Sequence, residues 1–439
     1  MLLQNSNCTQ SDLFSPPIKA QPRKLNVLSL FSGCGGMDLG FEGSFDVPKK
    51  SIPEDLYPRF VEKERPNEQL LLRPTAFQTI FANDILKEAK ITWTTHFNAP
   101  NKPQTPFREE SIVELVRRQE AGEIIFPKQV DVITGGFPCQ DFSLAGKRKG
   151  FHSKKDHTGK IYEGDLPSEE TRGKLYFWMK KVIDLVQPNV FIAENVKGLV
   201  NFGDIRDTIQ RDFSSAGDDG YLVLTPRILC AANYGIAQSR ERILFIGIRK
   251  KALRAEALEA LLKDPIPISY DPYPKPTHAF KSKDSSLAPP LTLQELFKGM
   301  PEPNESDDPS HQFYSKAKYM GAHCQGQIEI NLKGVAPTIR SEHHGNIEFR
   351  RLAQEHGGKY TEELAQHKLE RRLTPRECAL IQSFPNDFKF VMPKNQPGRN
   401  KYLLSPSAAY KVIGNAVPPL LAYHIARRLG DVWSLYFDK

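Results

Sequence analysis

The chain has no apolar run near the roughly 20 residues that a membrane-spanning helix needs. Its first residues, MLLQNSNCTQSDLF, lack the basic start and apolar stretch of a secretory signal. A cytosolic protein with no membrane partner is therefore expected. Cysteine is sparse: Cys8, Cys34, Cys139, Cys230, Cys324 and Cys378 never fall into a C-x-x-C pair, which argues against zinc, and no metal site is expected. In a reducing compartment these residues are thiols. There is also no G-x-G-x-x-G turn of the dinucleotide-binding kind, no internal repeat and no strong low-complexity segment.

What is present is enough for one large core and a second unit. The chain has 439 residues, of which 39% are hydrophobic and 26% charged. The net charge of +8 fits a polyanion partner, and fits many soluble enzymes equally well.

Residues 1–24 are polar and read as a loose tail. Leu25–Phe31 is a short apolar run that stops at Ser32-Gly33-Cys34-Gly35-Gly36. A buried strand running into a glycine turn and then a helix opens a nucleotide-binding α/β domain. Further buried strands are expected at 79–82, ending at Asn83-Asp84, at 130–134, ending at Gly135-Gly136, at 190–193, ending at Glu194-Asn195, and at 242–248. A helical pattern from Leu175 through Val186 lies among them. Such alternation predicts a mostly parallel sheet covered on both faces. From 252 to about 370 the chain is irregular and reads as a separate domain. Order returns at Thr374-Pro375-Arg376-Glu377, a capping box with proline at the first helical position, and a last helix opens near Pro418-Pro419.

Four places carry candidate chemistry. The glycine turn permits close backbone approach to a cofactor, or is only a tight turn. Asp84, at the next strand end, suits ribose hydroxyls or a helix N-cap. Gly135-Gly136-Phe137-Pro138-Cys139-Gln140 puts a cysteine at a strand end, where α/β sheets place ligands; Cys139 is either a nucleophile activated by a lowered pKa or a neighbouring base, or a small buried residue. Glu194 could share that pocket as a proton donor, or be a helix cap or ion-pair partner. In Gln238-Ser239-Arg240-Glu241-Arg242, alternate residues share a side. Arg240 and Arg242 then suit phosphate or base edges, or form a surface ion-pair cluster with Glu241.

These pieces, in this order, resemble the DNA (cytosine-5) methyltransferase family of bacterial restriction–modification type. Phe31 to Gly36 resembles its cofactor block, Gly136-Phe137-Pro138-Cys139-Gln140 its PCQ block, Glu194-Asn195-Val196 its ENV block and Gln238 to Arg242 its QxRxR block. Arg371-Arg372-Leu373-Thr374-Pro375-Arg376-Glu377-Cys378 resembles the block after target recognition, and Gly414-Asn415-Ala416-Val417-Pro418-Pro419 the closing GNAVPP. The blocks cover nearly the whole chain.

The resemblance implies a Rossmann-like, S-adenosylmethionine-dependent α/β fold: a catalytic domain at 25–251, a target-recognition domain at 252–370, and a segment at 371–439 returning to the catalytic domain. It implies transfer of a methyl group from S-adenosyl-L-methionine to C5 of a flipped cytosine in a short, palindromic duplex site. Cys139 would add to C6, Glu194 would hold the N3 edge, and Arg240 and Arg242 would hold the base. Phe31, Gly33 and Gly36 would face the methionine portion and Asp84 the ribose. Ile85 would lie by the adenine, with Pro138, Leu175, Asn415 and Val417 lining the rest. Arg148, Lys149 and Arg172 would close on DNA. Arg340, His343 and His344 would contact it from the recognition domain, where Lys316, Lys318, His323 and Arg350 are further candidates. Gly334 to Arg340 reads as the most structured recognition segment. The protein would act as a monomer in the bacterial cytoplasm, with its cognate restriction endonuclease a genetic rather than a physical partner.

Three departures from the family pattern stand out. Residues 47–77 form a long link with no assigned role. The acidic residue expected after the third strand is not obvious, Glu110-Ser111-Ile112 lying near its place. A polar insert occupies 153–170. Two rivals differ in class: an RNA cytosine-5 methyltransferase, argued against by the long recognition segment, and a non-catalytic DNA-binding or scaffold protein, argued against by intact Cys139, Glu194, Arg240 and Arg242.

Overall fold

The computed structural model describes residues 23–100, 104–138, 175–201, 203–341, 347–394 and 401–438. An eight-stranded sheet forms its centre. The strands are β1 (Leu25–Leu30), β5 (Phe77–Asn83), β6 (Phe107–Arg108), β7 (Val132–Gly135), β8 (Val190–Val196), β9 (Tyr221–Val223), β10 (Arg227–Cys230) and β11 (Glu241–Arg249). They run in the order β10-β11-β8-β7-β1-β5-β6, with β9 also paired to β11. From β8 through β6 every pairing is parallel, and β11 is antiparallel to β8, β9 and β10. The mostly parallel α/β fold is thus as the sequence predicts.

Alternation of side chains along these strands builds two apolar layers. Val27, Val132, Ile192, Leu244 and Ile246 point into one. Leu28, Leu30, Ile133, Phe191, Ala193, Ile243 and Phe245 point into the other. Helices Ile112–Glu120, Leu175–Val186 and Gly203–Ser214 cover the second layer, while Gly36–Glu42 and Pro419–Tyr436 pack on the first. Helix Pro375–Ile381 opens with the expected capping box: Thr374 Oγ1 accepts from Glu377 N, and Glu377 Oε2 accepts from Thr374 N at 2.8 Å.

Residues 47–77 supply most of a small antiparallel sheet of β2 (Asp46–Pro48), β3 (Val61–Arg65) and β4 (Gln69–Leu72), in the order β2-β4-β3. The segment buttresses the last helix. Tyr423 Oη donates to the carbonyls of Phe60 and Arg73 at 3.2 and 3.0 Å, and the Phe60 and Tyr423 rings meet edge-on at 5.4 Å.

Between 255 and 366 the helices are short, and buried ion pairs do much of the holding. Arg351 bridges Glu302 and Glu363, while Arg371 bridges Glu302 and Glu377. Among the described residues no helix is long and apolar enough to cross a membrane.

Candidate active site

In an open parallel sheet, ligands lie beyond the carboxyl ends of the strands. A cavity of about 1140 Å³ lies there. Its walls come from the turn after β1 (Phe31, Ser32, Gly33), the end of β5 (Asn83, Asp84, Ile85), the end of β7 (Gly135 to Pro138) and the end of β8 (Glu194 to Val196). Because β11 is antiparallel to β8, its first residues reach the same edge, and Arg240 and Arg242 line the cavity too. Leu175, Lys411, Asn415 and Val417 line it as well, as do Gln325 and Thr338 to Ser341.

At the β1 end, Phe31 takes a left-handed conformation at φ 52°, which costs a non-glycine residue roughly 1–2 kcal/mol. Gly33 follows at φ 55°, and a Cβ built there meets nothing within 4 Å, so the backbone lies open to the cavity. Asp84 fixes this turn: one carboxylate oxygen accepts from Gly33 N at 2.9 Å and the other from Leu86 N at 2.8 Å. The N-cap reading of Asp84 is not realised, since helix Lys87–Phe97 starts after Leu86 with no side-chain cap. Burial pushes its carboxyl up, against the pull of those amides.

Gly36 sits apart from the other residues of this turn. It is not among the residues lining the cavity. A Cβ there would stand 2.2 Å from the Val417 carbonyl oxygen, so glycine is needed for the closing segment to cross helix Gly36–Glu42. The adjacent strand-end acid is also spoken for: the Glu110 carboxylate pairs with Arg118, although Glu110, Ser111 and Ile112 do line the cavity.

Asp38 lies behind the turn. Trp93 Nε1 donates to its Oδ2 at 2.6 Å. Burial pushes this carboxyl up to about 7; hydrogen bonds from Ser29 and Trp93 pull it down, and Glu42 raises it further. A carboxyl whose folded pKa exceeds its unfolded one contributes stability that is full below the unfolded pKa and lost as pH rises through the folded value. The wild type should therefore lose stability between about pH 4 and 7 on this group's account. Asp38→Asn, which keeps an acceptor for Trp93, should flatten that slope in urea midpoints measured across the range; parallel curves would mean that Asp38 does not titrate there.

The corner that holds Glu194 and Arg242 is built by β7, β8 and β11. Asn195 Nδ2 donates to Phe137 O at 3.2 Å, which holds the turn that leads through Pro138. The Glu194 carboxylate lies 3.0 Å from where a Cβ on Gly136 would sit and accepts from Arg242 Nε at 2.7 Å. Both of these side chains are only 10% exposed. Glu194 sits inside β8, two residues before its last residue Val196, rather than after the strand.

Arg240 is fully buried, with Nη1 on Ile339 O and Nη2 on Gly414 O, each at 2.9 Å. Desolvation, helped by neighbouring Arg242 and opposed by Glu194, lowers its hold on the proton. The surface-cluster reading fails, because Glu241 pairs with Lys197 at 3.0 Å instead.

The segment Gly334 to Arg340 is tied to the block Gln238 to Arg242. Ala336 N donates to Ala237 O, Ser239 N to Ala336 O and Ile339 N to Gln238 Oε1. The stretch is sewn to the Gln238–Arg242 block and forms a cavity wall. Arg340 lines that wall and pairs with buried Glu348 at 2.8 Å. Arg350 is committed inside the protein, to Glu363 at 2.8 Å. Lys316, Lys318 and His323 are exposed. Phe31, Gly33, Asp84, Ile85, Pro138, Leu175, Asn415 and Val417 line the one cavity together with Glu194, Arg240 and Arg242. Cys139, Arg148, Lys149, Arg172, His343, His344 and the 153–170 insert lie outside the described residues. Lys411 and Gln325, which line the cavity as well, carry no local sequence signal that would have singled them out.

The model of the C-5 cytosine-specific DNA methylase family matches residues 25–431. The Type II methyltransferase M.BsuRI of Bacillus subtilis is 32% identical over 422 residues, covering 94% of this chain and 81% of that protein. The Type II methyltransferase M.NgoPII of Neisseria gonorrhoeae is 30% identical over 427 residues, covering 94% of this chain and 96% of that protein. Among solved structures, a DNA modification methyltransferase encoded within an E. coli prophage aligns with a TM-score of 0.51 at 19% identity, covering 94% of this chain and 100% of that one, a likeness of fold. The chain belongs to the C-5 cytosine-specific DNA methylase family and is a methyltransferase of the restriction–modification type.

Proposed function

We propose that the protein transfers a methyl group from S-adenosyl-L-methionine to C5 of a cytosine flipped out of a short, specific, palindromic duplex site. It works as a monomer in the bacterial cytoplasm and protects DNA from a cognate restriction endonuclease. The observation that carries the reading is Glu194. Its carboxylate lies against Gly136 and Arg242, in the cavity that also holds Gly33 and Asp84.

The cofactor fits the residues present. Gly33 leaves an open backbone cradle and Asp84 keeps acceptor lone pairs free for ribose hydroxyls. Ile85, Pro138, Leu175, Asn415 and Val417 would enclose the remainder. Bound there, the cofactor supplies an electrophilic methyl group on a sulfonium. The volume exceeds the roughly 300–1000 Å³ of an ordinary ligand site, which suits a cofactor and a base side by side.

Cytosine C5 is a poor nucleophile until C6 is substituted. The Cys139 thiolate adds to C6, forming the C–S bond, and the electron pair of the C5–C6 double bond becomes available at C5. Glu194 at the N3 edge stabilises the protonated ring, Arg242 lies near O2, and Arg240 holds Ile339 and Gly414 in place around the base. Once C5 carries the methyl group, loss of its proton restores the double bond and expels Cys139. The attack needs an unstacked base, hence flipping. The domain at 252–370, together with Arg148, Lys149, Arg172, Arg340, His343 and His344, would contact the duplex.

Labelled methyl groups should enter duplex DNA and not tRNA. Duplex containing 5-fluorocytosine at the methylated position, mapped first by bisulfite sequencing, should trap a covalent adduct because C5 then has no proton to lose. Label entering only tRNA, or an adduct that survives Cys139→Ala, would overturn the proposal.

A further inference from the structure

Arg372 is 1% exposed and, among the described residues, forms no ion pair. Burying a guanidinium without a carboxylate is costly unless its donors are met. They are met by backbone carbonyls. Nε donates to Ala317 O at 2.8 Å, Nη2 to Lys318 O at 3.2 Å, and Nη1 to Gly326 O at 3.2 Å and to Ile347 O. The guanidinium also stacks 4.1 Å from the centre of the Phe349 ring. Ala317 and Lys318 form one foot of a loop, Gly326 is the other foot, and one planar group grips both. The loop has its own bracing: Gln327 Oε1 accepts from Met320 N at 2.9 Å and Gly321 O from Cys324 N at 3.1 Å.

The loop between those feet turns polar and apolar side chains outward together. Met320 is 66% exposed, and Lys318 and His323 are exposed as well. Gln325, beside the second foot, reaches the cavity that contains Glu194 and Arg242. A primary amide offers a donor and an acceptor in one plane, the pattern that pairs with base edges. A reading group is useful only if its backbone is fixed, and fixing the backbone is what the four carbonyl bonds do.

We propose that Gln325 is a specificity-determining residue for methyl transfer, presented at the cavity mouth by the loop Lys318–Gly326, and that Arg372 is the positioning residue that sets the loop's shape. The proposal rests on the reading of the cavity as the cytosine site. Gln325 restricts which base sequence around the target cytosine can be seated, and Arg372 acts only through the loop.

The test is bisulfite sequencing of DNA from cells expressing the wild type, Gln325→Ala and Arg372→Lys, with Tm and cofactor affinity measured on the purified proteins. The readout is methylation in the wild-type sequence context relative to contexts differing by one base. Gln325→Ala should keep the wild-type Tm and lower this ratio at least tenfold. Arg372→Lys, whose single ammonium cannot reach both feet, should lower the ratio similarly while cofactor affinity holds. Should Arg372→Lys fail to fold, Phe349→Leu removes the stacking plane without removing a hydrogen bond and should shift the ratio the same way by less. An unchanged ratio in Gln325→Ala overturns the specificity role. A lowered Tm with an unchanged ratio in Arg372→Lys, or an unchanged ratio in Phe349→Leu, overturns the positioning role. A wild type that methylates no duplex context overturns the proposed function itself, a result distinct from either.

Discussion

Glu194→Gln should slow methyl transfer by about 10²- to 10⁴-fold, the range typical of losing a positioned acid–base group, while leaving the protein folded and able to bind cofactor. The amide has the carboxylate's shape and keeps an acceptor for Arg242 Nε, now 2.7 Å away. The Asn195 bond to Phe137 O, which holds the turn before Cys139, is untouched. What disappears is the negative charge in a corner where both partners are only 10% exposed, and where water screens little. Two losses compete. Uncoupling a buried ion pair costs about 3–5 kcal/mol of stability when the remaining charge is stranded, but here the amide oxygen still receives the guanidinium, so the structural loss should be the smaller one. The barrier increase, about 2.7–5.5 kcal/mol for such a rate change, should dominate. Single-turnover rates on duplex DNA, alongside Tm and cofactor titration, separate the two. A rate within tenfold of wild type would reduce Glu194 to a structural partner of Arg242.

The parts of this molecule legible in its sequence are those whose physics is local. Leu25–Leu30, Val132–Gly135 and Val190–Val196 stand out because strands of a parallel sheet are buried on both faces and so read as largely apolar runs. The Thr374–Glu377 box is legible because a cap and its return bond lie three residues apart. That Asp84, Glu194 and Arg240 share a cavity follows from the rule that strand ends converge.

What escaped depends on partners distant in the chain. Nothing near Gly36 announces that Val417 O will press on it from 381 positions away. Nothing near Ala336 and Ile339 announces their bonds to Ala237 and Gln238, about a hundred positions earlier. The hairpin within 47–77 has charged, exposed positions through β3, so its pattern lacks the apolar alternation that marks a half-buried strand. Arg372 sits in a motif that the family resemblance explains, but its four carbonyl partners are a tertiary fact.

Gly414→Ala should be the most damaging single methyl group near the site. A Cβ there would lie 2.1 Å from Arg340 O, 2.2 Å from Arg340 C and 2.4 Å from Ser341 N, all backbone, where ordinary contact begins at 3.4 Å. No side chain can swing aside, so one of the two segments must retreat by more than an ångström. Helix Pro406–Asn415 is held from behind: Tyr410 Oη donates to Leu373 O at 2.7 Å and Val412 O accepts from the Cys34 thiol. The wall carrying Ile339, Arg340 and Ser341 should therefore yield. Its retreat stretches the Arg240 bond to Ile339 O while the bond to Gly414 O stays. A donor left unmet on so buried a guanidinium costs about 1–3 kcal/mol, on top of about 1–3 kcal/mol for overpacking. Because that wall and the neighbouring Asn415 both line the cavity, a shift of about 1 Å also misplaces the reacting groups, for which a roughly 10²-fold rate loss is expected. Gly334→Ala is the control: its Cβ would meet the flexible Asn331 amide at 3.2 Å and backbone only at an ordinary 3.8 Å, and both Tm and rate should stay near wild type. If Gly414→Ala matched that control in both measurements, the segments could not be as close as they are described, and Arg240 could not be the bolt between them.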